Sequence, residues 1–162
     1  MTDEVDRIVA AWNRERPDLD VAPLQVLSRV SRLARHLDLA RRTAFDRHDL
    51  ELWEFDVLSA LRRAGEPYQL SPGTLVQQTL VTSGTMTNRI DRLAARGLVE
   101  RRPAPGDRRG VLVRLTPAGL ERVDAALADL LRVERDLLAA LPEGDRRVLA
   151  DLLRVLVAPF DA

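Results

Sequence analysis

Apolar residues recur at helical spacing along most of this chain, and one segment breaks that rhythm. Val5, Ile8, Val9 and Trp12 form a stripe across residues 2–15. Arg16-Pro17-Asp18 stops that helix, because the residue before a proline avoids the helical region. Pro23 suits the first turn of a second helix, which runs to about Phe45 with Leu27, Val30, Ala34 and Leu37 on one stripe. A third helix covers residues 50–64, with Trp53, Val57 and Leu61 aligned and Gly65 at its end. Ser71-Pro72 places a hydroxyl cap before a proline at the first helical position and predicts a short helix to about Leu80. A tight turn leads to another short helix over roughly 83–96, closed by Gly97. Two short helices joined this way are a helix-turn-helix candidate.

The rhythm then changes. Leu98 to Arg102 reads as a strand, Pro103-Ala104-Pro105-Gly106 as a turn cluster, and Val111, Val113 and Leu115 as alternate positions of a return strand. Asp107-Arg108-Arg109-Gly110 is expected at the tip of this hairpin. Thr116-Pro117 caps a long helix lined by Leu120, Val123, Leu127, Leu130, Leu131 and Leu137. Pro142 breaks it, and Val148, Leu152, Leu153, Leu156 and Val157 mark a last helix. The fold class is therefore mainly α (α+β). Three segments are expected: N-terminal helices over 1–48, a DNA-binding region over 49–115 and C-terminal helices over 116–162. The outer helices carry leucine on more than one face, which predicts a dimerisation module. The competing reading is that they close a monomeric core.

Composition narrows the chemistry. The chain has 162 residues, enough for one domain with an appendage. Its 25 basic residues are all arginine, and they balance 25 acids. There is no cysteine, so disulfides and thiolate metal sites are excluded. His36 and His48 show no metal-ligand spacing. No apolar run is long enough to span a bilayer, and the acidic N-terminus is unlike a signal peptide, so a cytoplasmic protein is expected. No Ser/His/Asp set, phosphate-cradling glycine loop or metal cluster argues for an enzyme, and no cofactor is expected. Glu51 and Glu54 share a helix, at a spacing that usually faces solvent.

Charge is distributed unevenly within that neutral total. From Arg89 to Arg114 there are eight arginines against Asp91, Glu100 and Asp107. A recognition helix presents small polar and arginine side chains from its N-terminal half, and Ser83, Thr85, Thr87, Asn88, Arg89 and Arg92 are available. Asn and Arg read base edges, and Ser and Thr suit phosphates. Ile90, Leu93 and Ala94 lie on the other face. One of Thr82 and Ser83 is expected to serve as the helix cap. Arg108 and Arg109 would enter a minor groove or grip the backbone, with Asp107 holding one of them in place. A merely solvated charged turn is the alternative.

Residues 82–119 resemble the winged helix-turn-helix of the multiple antibiotic resistance regulator (MarR) family. The matching residues are Thr87, Arg89 and Leu93, then Arg96-Gly97-Leu98-Val99 and Arg101, then Asp107-Arg108-Arg109, and finally Leu115-Thr116 with Gly119. The resemblance implies a homodimeric bacterial transcription factor, associated with the nucleoid, on double-stranded DNA at a palindromic operator. It usually implies a repressor released by a small molecule. The extra N-terminal helix with its tryptophan resembles the urate-responsive branch of the family. That likeness implies a site for a small anionic aromatic effector such as urate, and the matching positions are Trp12, Asp56, Arg89 and Arg101. On this reading Asp56 is partly buried, and Arg89 and Arg101 face inward to the ligand. Alternatives are that Trp12 is ordinary packing, that Asp56 and Arg101 form a structural ion pair, or that the effector is a phenolic acid. A winged helix that binds protein rather than DNA is the second functional class.

Overall fold

Hydroxyl caps open α-helical segments at Ser71, Thr82 and Thr116, and acidic caps open others at Asp3 and Glu51. The computed structural model describes residues 2–160, with the side chains of residues 107–109 outside that description. Chain contacts separate two units, with the division between Thr43 and Ala44.

In the first unit, α1 (Glu4–Glu15) opens on a capping box: Asp3 accepts from the Asp6 amide, and Asp6 accepts from the Asp3 amide. Most of α2 (Leu24–Asp46) belongs to this unit. Arg29 on α2 pairs with both Asp3 and Asp6 at 2.8 Å, tying the cap of α1 to the second helix. Val26, Leu27, Val30 and Leu33 on α2 are exposed.

The second unit holds the main core. It contains α3 (Leu52–Arg63), β1 (Gln69–Leu70), α4 (Pro72–Thr79), α5 (Ser83–Ala95), β2 (Val99–Ala104), β3 (Asp107–Leu115), α6 (Pro117–Leu138) and α7 (Glu143–Val157). A short 3-10 turn over Ala158–Phe160 follows. Phe45, Leu58, Leu61, Leu75, Met86, Ile90, Leu93 and Val113 are buried in one cluster, with Val123 and Leu130 of α6 closing it. The winged helix-turn-helix expected from the resemblance is present. Ser71 and Thr82 cap α4 and α5, accepting from the Thr74 and Thr85 amides. Gly97, at φ +69°, turns the chain out of α5 into β2.

The sheet corrects two expectations. It has three antiparallel strands in the order β1-β3-β2, and β1, only two residues long, carries no alternation that a sequence can show. The hairpin is also tighter than its proline cluster suggests. Pro105-Gly106 alone make the turn, Gly106 supplies φ +80°, and Ala104 pairs directly with Asp107. Pro103 therefore lies in β2, an edge strand that lacks little by losing one amide, beside a register shift. Asp107, Arg108 and Arg109 begin β3 rather than form the tip.

The junction of wing and α6 is close-packed. Thr116 donates its hydroxyl to the Gly97 carbonyl and its amide to the Leu98 carbonyl. A Cβ on Gly119 would lie 2.0 Å from the Leu98 carbonyl oxygen, so only glycine fits there. Farther on, α7 buries none of its residues, and Val148, Leu152, Val155 and Leu156 are exposed. No helix among the described residues is long and apolar enough to cross a membrane.

Candidate nucleic-acid interface

The α5 sequence sorts itself into three faces at 100° per residue. Met86, Ile90 and Leu93 are buried and fix the helix on the core. Asn88 lies opposite them and is exposed. Ser83 and Thr87 occupy the flank toward the wing, with Asp91 beyond them; Thr85, Arg89, Arg92 and Arg96 occupy the other, toward the start of α3. Ser83, Thr85, Thr87, Asn88 and Arg92 are all exposed, and Arg89 is half-buried.

Two of the hydroxyls already have local partners. Thr87 donates to the Ser83 carbonyl at 3.0 Å, and Thr82 donates to the Thr85 hydroxyl at 2.9 Å. Asn88 has no such bond to its own helix among the described residues and projects from the middle of the exposed face. It is the best placed side chain for a base edge.

The arginine flank is organised by Trp53 and Glu51 at the start of α3. Trp53, expected in the apolar stripe of α3, is only half-buried. Its ring carries the Arg92 guanidinium at 4.7 Å and the Arg89 guanidinium at 5.4 Å from the centroid. The Trp53 indole N–H donates to Glu51 at 2.7 Å, and Arg92 donates to the other Glu51 oxygen at 2.7 Å. These bonds, the indole's first, hold the Glu51 carboxyl below its ordinary pKa. Together the groups line an open cleft of about 550 Å³ that also touches Gly84, Thr85 and Asn88.

Glu54 corrects a second expectation. It is buried, at 1% exposure, rather than solvent-facing. Its carboxylate takes the Glu51 amide at 2.9 Å and Arg96 at 2.6 Å. Arg96 also donates to the Asp49 carbonyl and carboxylate, and Arg122 on α6 approaches the same Asp49 at 3.4 Å. The bond to Glu54 is the main reason the Arg96 pKa is raised. One sequence signal points to this arrangement: two acids three residues apart at a helix start are a capping-box pattern.

The wing contributes the second surface. Arg101 is exposed and donates to Asp91 on α5 at 2.6 Å, which corrects the expectation that it faces inward. Asp91 lies on the wing side of α5, and β2 runs alongside it. The side chains of Asp107, Arg108 and Arg109 lie outside the described residues; their backbone starts β3 beside the turn.

The remaining residues expected at an effector site are placed as follows. Asp56 is exposed on α3, correcting the expectation of partial burial, and lines a cleft of about 230 Å³ with Ser59, Arg63, Gln78, Thr79 and Leu80. Trp12 lies on α1 in the first unit and is 48% exposed. No cluster of His, Cys, Asp and Glu suited to a metal occurs among the described residues.

The chain is similar to known proteins. A family model described as MarR family matches residues 48–110. The HTH-type transcriptional regulator PecS of Dickeya dadantii is 39% identical over 150 residues, spanning 93% of this chain and 90% of its own length. The HTH-type transcriptional repressor NicR of Pseudomonas putida is 33% identical over 144 residues, spanning 86% of this chain and 89% of its own. Among solved structures, a mutant MarR from E. coli complexed with operator DNA aligns at a TM-score of 0.70 with 26% identity, over 90% of this chain and 97% of that one.

Proposed function

The chain belongs to the MarR family of DNA-binding transcriptional regulators, and from that premise we propose that it is a homodimeric repressor of a palindromic operator, released by a small anionic aromatic ligand. The observation that carries the DNA-reading part is the exposed face of α5. It sets Asn88 between hydroxyls and arginines on a helix whose opposite side is locked into the core. Such a helix enters a major groove, while the hairpin beside it follows the backbone. The MarR homologue bound to operator DNA supports the same use of the fold.

Dimerisation is supported by apolar surface at both ends of the chain. The exposed Val26, Leu27, Val30 and Leu33 on α2, and Val148, Leu152 and Leu156 on α7, are more than scattered surface residues. A two-fold dimer would place its recognition helices about 34 Å apart, one turn of DNA. Repression as the sign of regulation is supported by the relative named a repressor.

For the effector we propose urate or a related purine. This rests on the added tryptophan-bearing helix and on the residue match to the urate-responsive branch. A flat anion offers a π face to an indole and acceptors to guanidinium groups. It acts as a switch only by binding the free protein better than the DNA-bound one.

The experiment is a mobility shift with the chain's own upstream intergenic DNA, titrated with urate, xanthine and salicylate. The expected result is a discrete complex that urate dissolves, with a weaker response in Trp12→Phe and Asp56→Ser. Release by salicylate but not by urate would overturn the effector assignment, and no discrete complex would overturn the operator.

A further inference from the structure

A carboxylate on a surface meant for phosphates opposes binding, yet Glu51 stands beside the arginines of α5 with a half-exposed indole next to it. The two groups form a continuous chain. Arg92 donates to Glu51, Glu51 accepts from the Trp53 indole, and the ring of Trp53 supports both Arg92 and Arg89. Glu51 also fixes its own main chain, because its amide donates to the buried Glu54 carboxylate at 2.9 Å. The ring is partly packed against the core, which anchors the platform on its inner side.

We propose that Trp53 and Glu51 are positioning residues that give this regulator its sequence discrimination, by holding Arg89 and Arg92 flat and in one rotamer each. The inference rests on the DNA-reading function argued above. An arginine free on a surface attracts any phosphate. One laid against an aromatic face keeps its N–H edge directed outward, which is the geometry a guanine edge requires. Glu51 also cancels part of the local positive field. It lowers attraction to any duplex while leaving the directional donors in place, so it favours selectivity over strength. The exposed Asn88 and the Gly84 backbone border the same cleft, so the fixed arginines act next to the base-reading centre of the helix.

The test measures fluorescence anisotropy of the full-length protein on two labelled duplexes, its own upstream intergenic DNA and a shuffled duplex of equal length. The Glu51 side chain is more than half exposed, so Glu51→Ala leaves the core intact. It is expected to bind the shuffled duplex more tightly than wild type while its operator preference falls about tenfold. Trp53→Leu is expected to lose a similar share of preference, and Trp53→Phe, which keeps an aromatic face, to recover most of it. Equal tightening on both duplexes by Glu51→Ala would make its role purely electrostatic and overturn the inference. So would an unchanged preference in Trp53→Leu. If Trp53→Leu melts too low to assay, the Glu51→Ala ratio decides alone. A wild-type protein without operator preference overturns the regulator reading and this inference with it; a wild-type preference that survives both substitutions overturns this inference only.

Discussion

Arg96 at the end of α5 donates to both carboxylate oxygens of Glu54 at 2.6 Å, although Glu54 is 1% exposed. The pair bolts the C-terminus of the recognition helix to the start of α3, and through Asp49 it reaches Arg122 of α6. The two partners differ in what their loss leaves behind. Arg96→Ala strands a buried carboxylate and should cost about 3 kcal/mol or more. Glu54→Gln keeps the acceptor for the Glu51 amide and leaves Arg96 with Asp49, so it should cost only about 1–2 kcal/mol. Urea unfolding of the two variants checks that order; equal costs would show that the pair is not desolvated.

Gly119 meets the Leu98 carbonyl so closely that a methyl group has no room. Gly119→Ala must shift α6 from the start of β2, against backbone rather than a flexible side chain. A loss of about 3 kcal/mol is expected, at the upper end for overpacking. Thermal melting reads it, and DNA affinity should fall with it because the wing shares this junction.

Base readers and backbone anchors should separate in DNA binding. Asn88→Ala is expected to cost about 1–3 kcal/mol on the operator and to relax preference at one base position. Arg109→Ala should weaken operator and shuffled duplex alike and reduce the salt slope by about 1. A shift assay over single-base operator variants distinguishes them. Thr87→Ala should matter less than Asn88→Ala, since the Thr87 hydroxyl already donates to Ser83.

The fold was readable wherever a local rule decides it. Ser71-Pro72, Thr82, Gly97 and Thr116-Pro117 are caps and turn residues whose chemistry acts within a few positions, and each bounds an element as expected. The exposed row of α5 was readable for the same reason, since helical period separates it from Ile90 and Leu93. What escaped is long-range. Glu54 is buried because Arg96, forty-two positions away, neutralises it. Trp53 looked like core because its spacing fits the stripe, and only the packing of α5 shows that arginines cover its outer side. Pro103 looked like a turn residue because nothing local shows that β2 is an edge strand.

Acid should destabilise the protein through specific carboxylates. Asp129 is held below its ordinary pKa chiefly by His48, at 2.9 Å, and Glu51 chiefly by the Trp53 indole. A carboxylate with a lowered folded-state pKa contributes stability above its unfolded value of about 4 and loses it as pH falls through the lower native value. The Asp129→Asn, Glu51→Gln double variant should therefore show a shallower fall in Tm below about pH 4 than wild type. Parallel curves would mean these pairs do not contribute.

The most direct test of the central claim is the salt dependence of binding to the chain's own upstream intergenic DNA. A dimer that neutralises about eight phosphates should show log K falling with log salt at a slope near −7, about four decades between roughly 50 and 200 mM. The operator should keep its preference over a shuffled duplex throughout. A flat salt response, or equal affinity for the two duplexes, would contradict a groove-reading regulator.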